Sequence, residues 1–140
     1  MSEGWDYFEV AADVGVRAWG PDAARAFGQA LLGVFNLVVP VEAVLPREER
    51  EVSTRGEGVE ALLVNWVNEG LYLHDIEGFV VARVADVTLE EGRLVHGRLL
   101  GEPFDASRHP RGTVIKGATF HGLAVTETPD RVEIRLVLDV

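Results

Sequence analysis

At 140 residues the chain is long enough for one domain with a substantial core. Its 47% apolar and 26% charged content is that of an ordinary globular protein. A net charge of −10 argues against direct nucleic-acid binding, which needs clustered Lys and Arg, and suits docking on a basic protein or holding a cation. The absence of cysteine removes disulfides, thiolate nucleophiles and Cys-based zinc sites. No apolar run approaches the ~18–20 residues that span a bilayer. The first residues, MSEGWDYFEV, lack the basic start and apolar stretch of a secretion signal, so a cytoplasmic location is expected.

The pattern from Trp5 to Trp19 predicts two strands with an interruption at Ala11-Ala12-Asp13. Gly15 marks a bulge or a close backbone approach, and Asp13 stands at the irregular point between the strands. Gly20-Pro21-Asp22 starts a helix, with Pro near its first position and an acid in its first turn. Phe27, Ala30, Leu31, Val34, Phe35 and Val38 then recur at helical spacing up to Pro40. Val41 to Gly58, with its charge run Arg47–Glu51, reads as a solvated loop leading into a strand near Glu51–Arg55. Val59, Leu62, Leu63, Trp66 and Val67 form a second helical stripe. Gly70 is its end or a tight-packing point, and His74-Asp75 falls just past it.

From Phe79 the period becomes two. Phe79–Leu89 and Arg93–Phe104, joined by Glu90-Glu91-Gly92, form a hairpin. Asp105–Arg111 is a polar loop containing His109, and Thr113–Thr126 is a further strand. After the turn at Thr128-Pro129-Asp130, the last strand alternates cleanly, with Val132, Ile134, Leu136 and Leu138 on one face. These elements predict a single α+β domain over residues 1–140: a mainly antiparallel sheet with two amphipathic helices packed on one face.

One stretch stands apart. Lys116 is the only lysine; the other twelve basic residues are arginines. Lysine is a compact charge whose proton affinity responds to burial, unlike arginine. It lies in Gly112–Gly122 with Thr119 and His121, in a segment otherwise apolar. A lysine on the solvated face of a strand is the plainer account of it. Familiar catalytic motifs are absent: no phosphate-cradling Gly-Lys-Ser/Thr loop, no HExxH, no calcium-loop pattern and no GxSxG. His74, His96, His109 and His121 show no tetrahedral-zinc spacing. Asp13, Asp139 and the terminal carboxylate of Val140 would form an all-oxygen set suited to a divalent cation, if the fold brought them together.

Read together, these residues resemble the archease family. Tyr7-Phe8-Glu9-Val10-Ala11-Ala12-Asp13-Val14-Gly15-Val16 is similar to the family's Y-x-E-H-T-A-D-x-G-I block. Leu62-Leu63, Trp66 and Leu71-Tyr72 resemble L-L-x-x-W-L-N-E-L-L-Y. Gly101-Glu102, His109 and Lys116-Gly117-Ala118-Thr119-Phe120-His121 resemble G-E…H…K-A-x-T-Y-H, and Leu138-Asp139-Val140 resembles the closing L-D-I. The family's His-Thr is Val10-Ala11 here, its Tyr is Phe120, and its Ala after the lysine is Gly117.

The resemblance implies a protein cofactor rather than an enzyme. It would act on an RtcB-type RNA ligase, promoting reaction with GTP and repeated turnover in tRNA splicing or RNA repair. It implies a functional cluster of Asp13, Lys116 and Asp139, with the aspartates, and the carboxylate of Val140, holding a divalent ion (Ca²⁺, Mg²⁺ or Mn²⁺). Thr119, His121 and Glu102 would support the cluster. Two other readings stand beside it: an independent metal-dependent phosphoester hydrolase with His121 or His74 as base, and a chaperone-like binding module without metal.

Overall fold

The computed structural model describes residues 2–140. In chain order the elements are β1 Gly4–Val10, β2 Asp13–Gly20, α1 Ala23–Val38, β3 Glu48–Arg55, α2 Val59–Glu77, β4 Phe79–Glu90, β5 Leu94–Pro103, β6 Gly117–Glu127 and β7 Val132–Asp139. The strands form two antiparallel sheets rather than one: β1-β2-β7-β6 and β3-β5-β4. Both helices lie between them. α1 packs on β1, β2 and β7 on one side and on β4 on the other, while α2 packs on β6 and on β3, β4 and β5. Each sheet therefore turns one face to the helices, and a single apolar core joins all the layers.

Burial on two sides explains the composition of α1. Its stripe of Phe27, Ala30, Leu31, Val34 and Phe35 is fully buried as its spacing predicts. Two glycines on the same helix are buried as well. A Cβ at Gly33 would lie 2.9 Å from the Trp5 ring of β1, and one at Gly28 would touch Val87 of β4. The missing side chains let a sheet close on either side of the helix. Between the helices, Gly70 is a packing point and not an end: a Cβ there would meet Leu31 at 2.8 Å. α2 continues to Glu77, so His74 and Asp75 lie in its last turn, and Gly78 ends it in the left-handed conformation (φ 68°). Trp66 locks the pair by donating its indole N–H to the Phe27 carbonyl, 3.0 Å away.

Other details differ from the sequence expectations. Asp22 caps α1 instead of lying in its first turn: its carboxylate accepts the Arg25 N–H at 2.8 Å, and Pro21 precedes the cap rather than opening the helix. The charge run at Arg47–Glu51 lies mostly in β3, not in a loop. β3 is an edge strand, and its charged side chains blunt an exposed row of backbone donors and acceptors. Gly15 sits in unbroken register and makes no bulge; the Phe8 ring lies over it, where a Cβ would come within 2.3 Å. β6 begins at Gly117 rather than Thr113. It carries the irregularity instead, with three extra residues between Thr119, opposite Val137, and Ala124, opposite Arg135.

Candidate functional site

The sheet β1-β2-β7-β6 gathers the sequence-predicted residues at one end. β1 and β2 form a hairpin whose turn is only Ala11-Ala12, with Ala12 at φ 64° and Val10 paired to Asp13. Asp13 thus opens β2 at the sheet's end. The register that pairs Val14 with Leu138 brings Asp13 level with Asp139, the last residue of β7. On the other side of β7, Gly117 pairs with Asp139, and the Lys116 N–H donates to the Asp139 carbonyl at 2.8 Å. Asp13, Asp139, Lys116 and Val140 are therefore neighbours at one end of three adjacent strands, of which β2 and β7 are more than a hundred residues apart in sequence.

Asn68 of α2 fixes the β6 side of this group. Its side-chain oxygen accepts the Ala118 N–H at 2.8 Å, and a Cβ at Gly117 would lie 3.2 Å from that oxygen. Glycine at 117 leaves room for the amide that anchors the start of β6. Sequence reading missed Asn68. Its signal was a polar residue at helical spacing between the buried Val64 and Leu71.

The electrostatics at this end are unbalanced. Side chains directly opposite in antiparallel strands lie about 4.5–5.5 Å apart at Cβ, and like charges so placed repel. Neither the Asp13 nor the Asp139 carboxylate has a hydrogen-bond or ion-pair partner among the described residues, and the ammonium of Lys116 has none either. Asp139 and Lys116 are exposed, while Asp13 is half-buried. No three His, Cys, Asp or Glu side chains among the described residues are arranged to hold a metal. Two side-chain carboxylates, those of Asp13 and Asp139, meet at this end. Such an all-oxygen, anionic set fits a hard divalent cation.

Thr119 and His121 follow on β6. Among the described residues, the Thr119 hydroxyl is the sole buried side-chain polar atom without a hydrogen-bond partner. His121 and Phe120 lie in the irregular stretch and are exposed, Phe120 at 61%. A Cβ at Gly122 (φ 72°) would lie 3.2 Å from Val137, so this stretch packs closely against β7.

Glu102 lies elsewhere. It is fully buried in β5, in the other sheet, with every oxygen committed. Its carboxylate accepts from Arg108 at 2.8 and 3.2 Å, from the Leu45 N–H at 2.9 Å and from His109 at 2.9 Å, and it pairs with Arg47 at 3.1 Å. The Asp105 N–H donates to Nδ1 of His109, so the ring proton sits on Nε2 and points at Glu102. The Arg108 hydrogen bonds pull the Glu102 pKa down to about 2, outweighing the desolvation that opposes them, with Leu45 and His109 adding to the effect.

Known proteins resemble this chain along nearly its whole length. The profile of the Archease protein family matches residues 5–140. The chain is 38% identical over 128 residues to the protein archease of Thermococcus gammatolerans, covering 90% of each chain. It is 32% identical over 139 residues to that of Pyrococcus furiosus, covering 97% of this chain and 98% of the other. The solution structure of Methanobacterium thermoautotrophicum protein 1598 superposes with a TM-score of 0.82 at 30% identity, over 98% of this chain and 99% of the other. The crystal structure of a Thermotoga maritima protein described as an archease and possible chaperone shares the fold, with a TM-score of 0.56 at 22% identity over 95% and 94% of the two chains. The chain belongs to the archease family.

Proposed function

We propose that this protein is the activator of an RtcB-type, GTP-dependent RNA ligase, promoting ligase guanylylation and multiple turnover in tRNA splicing or RNA repair. One observation carries the reading: Asp13, Asp139 and Lys116 meet at one sheet end with their charges unpartnered. Asp13, Asp139 and the Val140 carboxylate would hold a divalent ion, which supplies a compact positive charge for phosphate oxygens.

The chain's own part is positioning. β2 and β7 hold the two carboxylates level. The bond from the Lys116 N–H to the Asp139 carbonyl fixes the lysine backbone beside them, leaving its side chain free to reach an anionic group of the ligase's nucleotide. The net charge of −10 suits docking on a basic RNA-binding enzyme. The RNA itself would be held by the ligase.

The test is a cognate ligase assayed under multiple turnover, with and without this protein, across GTP and ATP. Wild type should raise turnover, and Asp139→Ala and Lys116→Arg should each abolish most of the gain. Unchanged stimulation by both variants refutes the cluster. A metal-free binding module is the second reading, favoured by the presence of only two side-chain carboxylates at the sheet end. Calorimetric titration of wild type and Asp13→Ala with Ca²⁺, Mg²⁺ and Mn²⁺ separates the two readings: heat of binding in neither protein supports the module.

A further inference from the structure

A second surface adjoins the sheet end. Asn68, Tyr72 and Ile76 occupy successive turns of α2, spaced about 6 Å apart along one stripe. The stripe starts at the site, because Asn68 holds the Ala118 N–H beside Lys116. Its other two members are exposed, Tyr72 at 58% and Ile76 at 62%. One step around the helix, Leu71, His74 and Asp75 line a cavity of about 60 Å³. Val38, Phe104 and Val114 complete its apolar wall, and Val114 is itself 77% exposed. Single exposed apolar residues are ordinary; here Val114 lines the recess while Tyr72 and Ile76 directly follow its lining residues Leu71 and Asp75 on the helix, and three so placed mark an interaction surface.

The rim chemistry indicates what fits there. Glu69 and Asp75 flank the stripe, exposed and without ion-pair partners among the described residues. The Nδ1–H of His74 donates to the Phe79 carbonyl at 2.9 Å, so Nε2 is the ring nitrogen of this cavity-lining residue left for a partner. The one cation on the far rim, Arg111, is stacked on the Phe104 ring at 4.1 Å. With Arg111 held on Phe104, the carboxylates of Asp75 at the recess and Glu69 along the stripe call for an apolar anchor flanked by donors and positive charge.

We propose that this stripe and cavity are the docking surface for the partner ligase. The occupant is a ligase segment that seats one apolar side chain in the cavity and places Lys or Arg against Glu69 and Asp75. This inference rests on the ligase reading of the sheet end and supplies its recognition half: α2 binds, and the sheet end acts. Ile115, which lines the cavity, directly precedes Lys116, so a segment seated here brings its neighbours toward the cluster.

Binding and stimulation should separate. With a cognate RtcB-type ligase, Tyr72→Ser/Ile76→Ser should raise Kd by about tenfold or more. It should shift the concentration for half-maximal stimulation equally and leave the plateau turnover in place. Glu69→Lys/Asp75→Lys should weaken binding and flatten its salt dependence. Asp13→Asn should do the converse, losing the plateau with Kd held within about twofold. Thermal unfolding of each variant checks the fold. If wild type stimulates the ligase but both double variants bind as tightly as it does, the docking surface is wrong and the ligase reading survives. A wild type that neither binds nor stimulates overturns both. A wild-type dimer in sedimentation equilibrium that Tyr72→Ser/Ile76→Ser dissociates assigns the stripe to self-association and overturns the proposal.

Discussion

Two charged groups of this protein invite comparison. Around Glu102, a buried carboxylate meets two guanidinium groups, an imidazole N–H and a backbone N–H. At the sheet end, two carboxylates and an ammonium come together with no partners among the described residues. The first cluster is closed: each oxygen is used, and the group holds the Asp105–His109 loop and the Leu45 backbone against β5. The second is open, and its like charges cost stability unless something outside the chain balances them. Glu102 and Lys116 both belong to the motifs that carry the family resemblance. Only their surroundings distinguish a structural pin from a candidate site.

The contrast predicts effects of unequal size. The largest is at the closed cluster. Glu102→Ala should cost about 3–5 kcal/mol of unfolding free energy, because it strands Arg108 and His109 without their acceptor. Chemical denaturation measures it, and a variant as stable as wild type would dissolve the contrast. The same residue sets an acid limb. Its pKa is lowered from 4.5 to about 2 on folding, so its contribution to stability is complete above pH 4.5 and is lost as pH falls through about 2. Glu102→Gln should remove that limb from the pH dependence of the unfolding midpoint.

Next comes Thr119. Its buried hydroxyl has no partner, so Thr119→Val should raise stability by about 1 kcal/mol, read as a higher Tm. If the hydroxyl serves the cluster in the ligase complex, the same variant lowers stimulation while stabilising the fold, which sharpens the boundary of the open region. The smallest stability effect is at the open cluster itself. Asp13→Asn and Asp139→Asn should leave stability unchanged or raise it by about 0.2–1 kcal/mol, through relief of cross-strand repulsion. A loss above about 2 kcal/mol from either would make the aspartates structural and erase the distinction.

Much of the fold was readable because it rests on local periodicity. The strict alternation of Val132, Ile134, Leu136 and Leu138 gave β7 and its buried face, all four being buried in the structure. The spacing of Phe27, Leu31, Val34 and Phe35 gave α1 and its core stripe. The resemblance gave the family, and with it the residues that the register of β2, β7 and β6 then brings to one end. Misreadings arose where an outside contact overrides local pattern. The Arg47–Glu51 run resembles loop sequence because an edge strand needs charge, not because it lacks structure. Of the two readings of Gly15, the close approach holds and the bulge does not: the Phe8 ring, across a strand pair, occupies its Cβ position. Glu102 was grouped with Lys116 because both belong to one run of family motifs, but strand pairing places them in different sheets.

By itself the sequence determined the α+β class, the two core helices, the final strand and the membership of an archease-type chain, each being a property of residue spacing or short motifs. It could not determine that the strands divide into two sheets enclosing the helices. Pairing of β2 with β7 joins residues more than a hundred positions apart, and spacing along the chain carries no record of that contact. Whether a charge is closed or open is settled by the same pairing. The burial of Glu102 among its partners and the open meeting of Asp13, Asp139 and Lys116 were decided only by tertiary structure, because the neighbours of each group come from other elements.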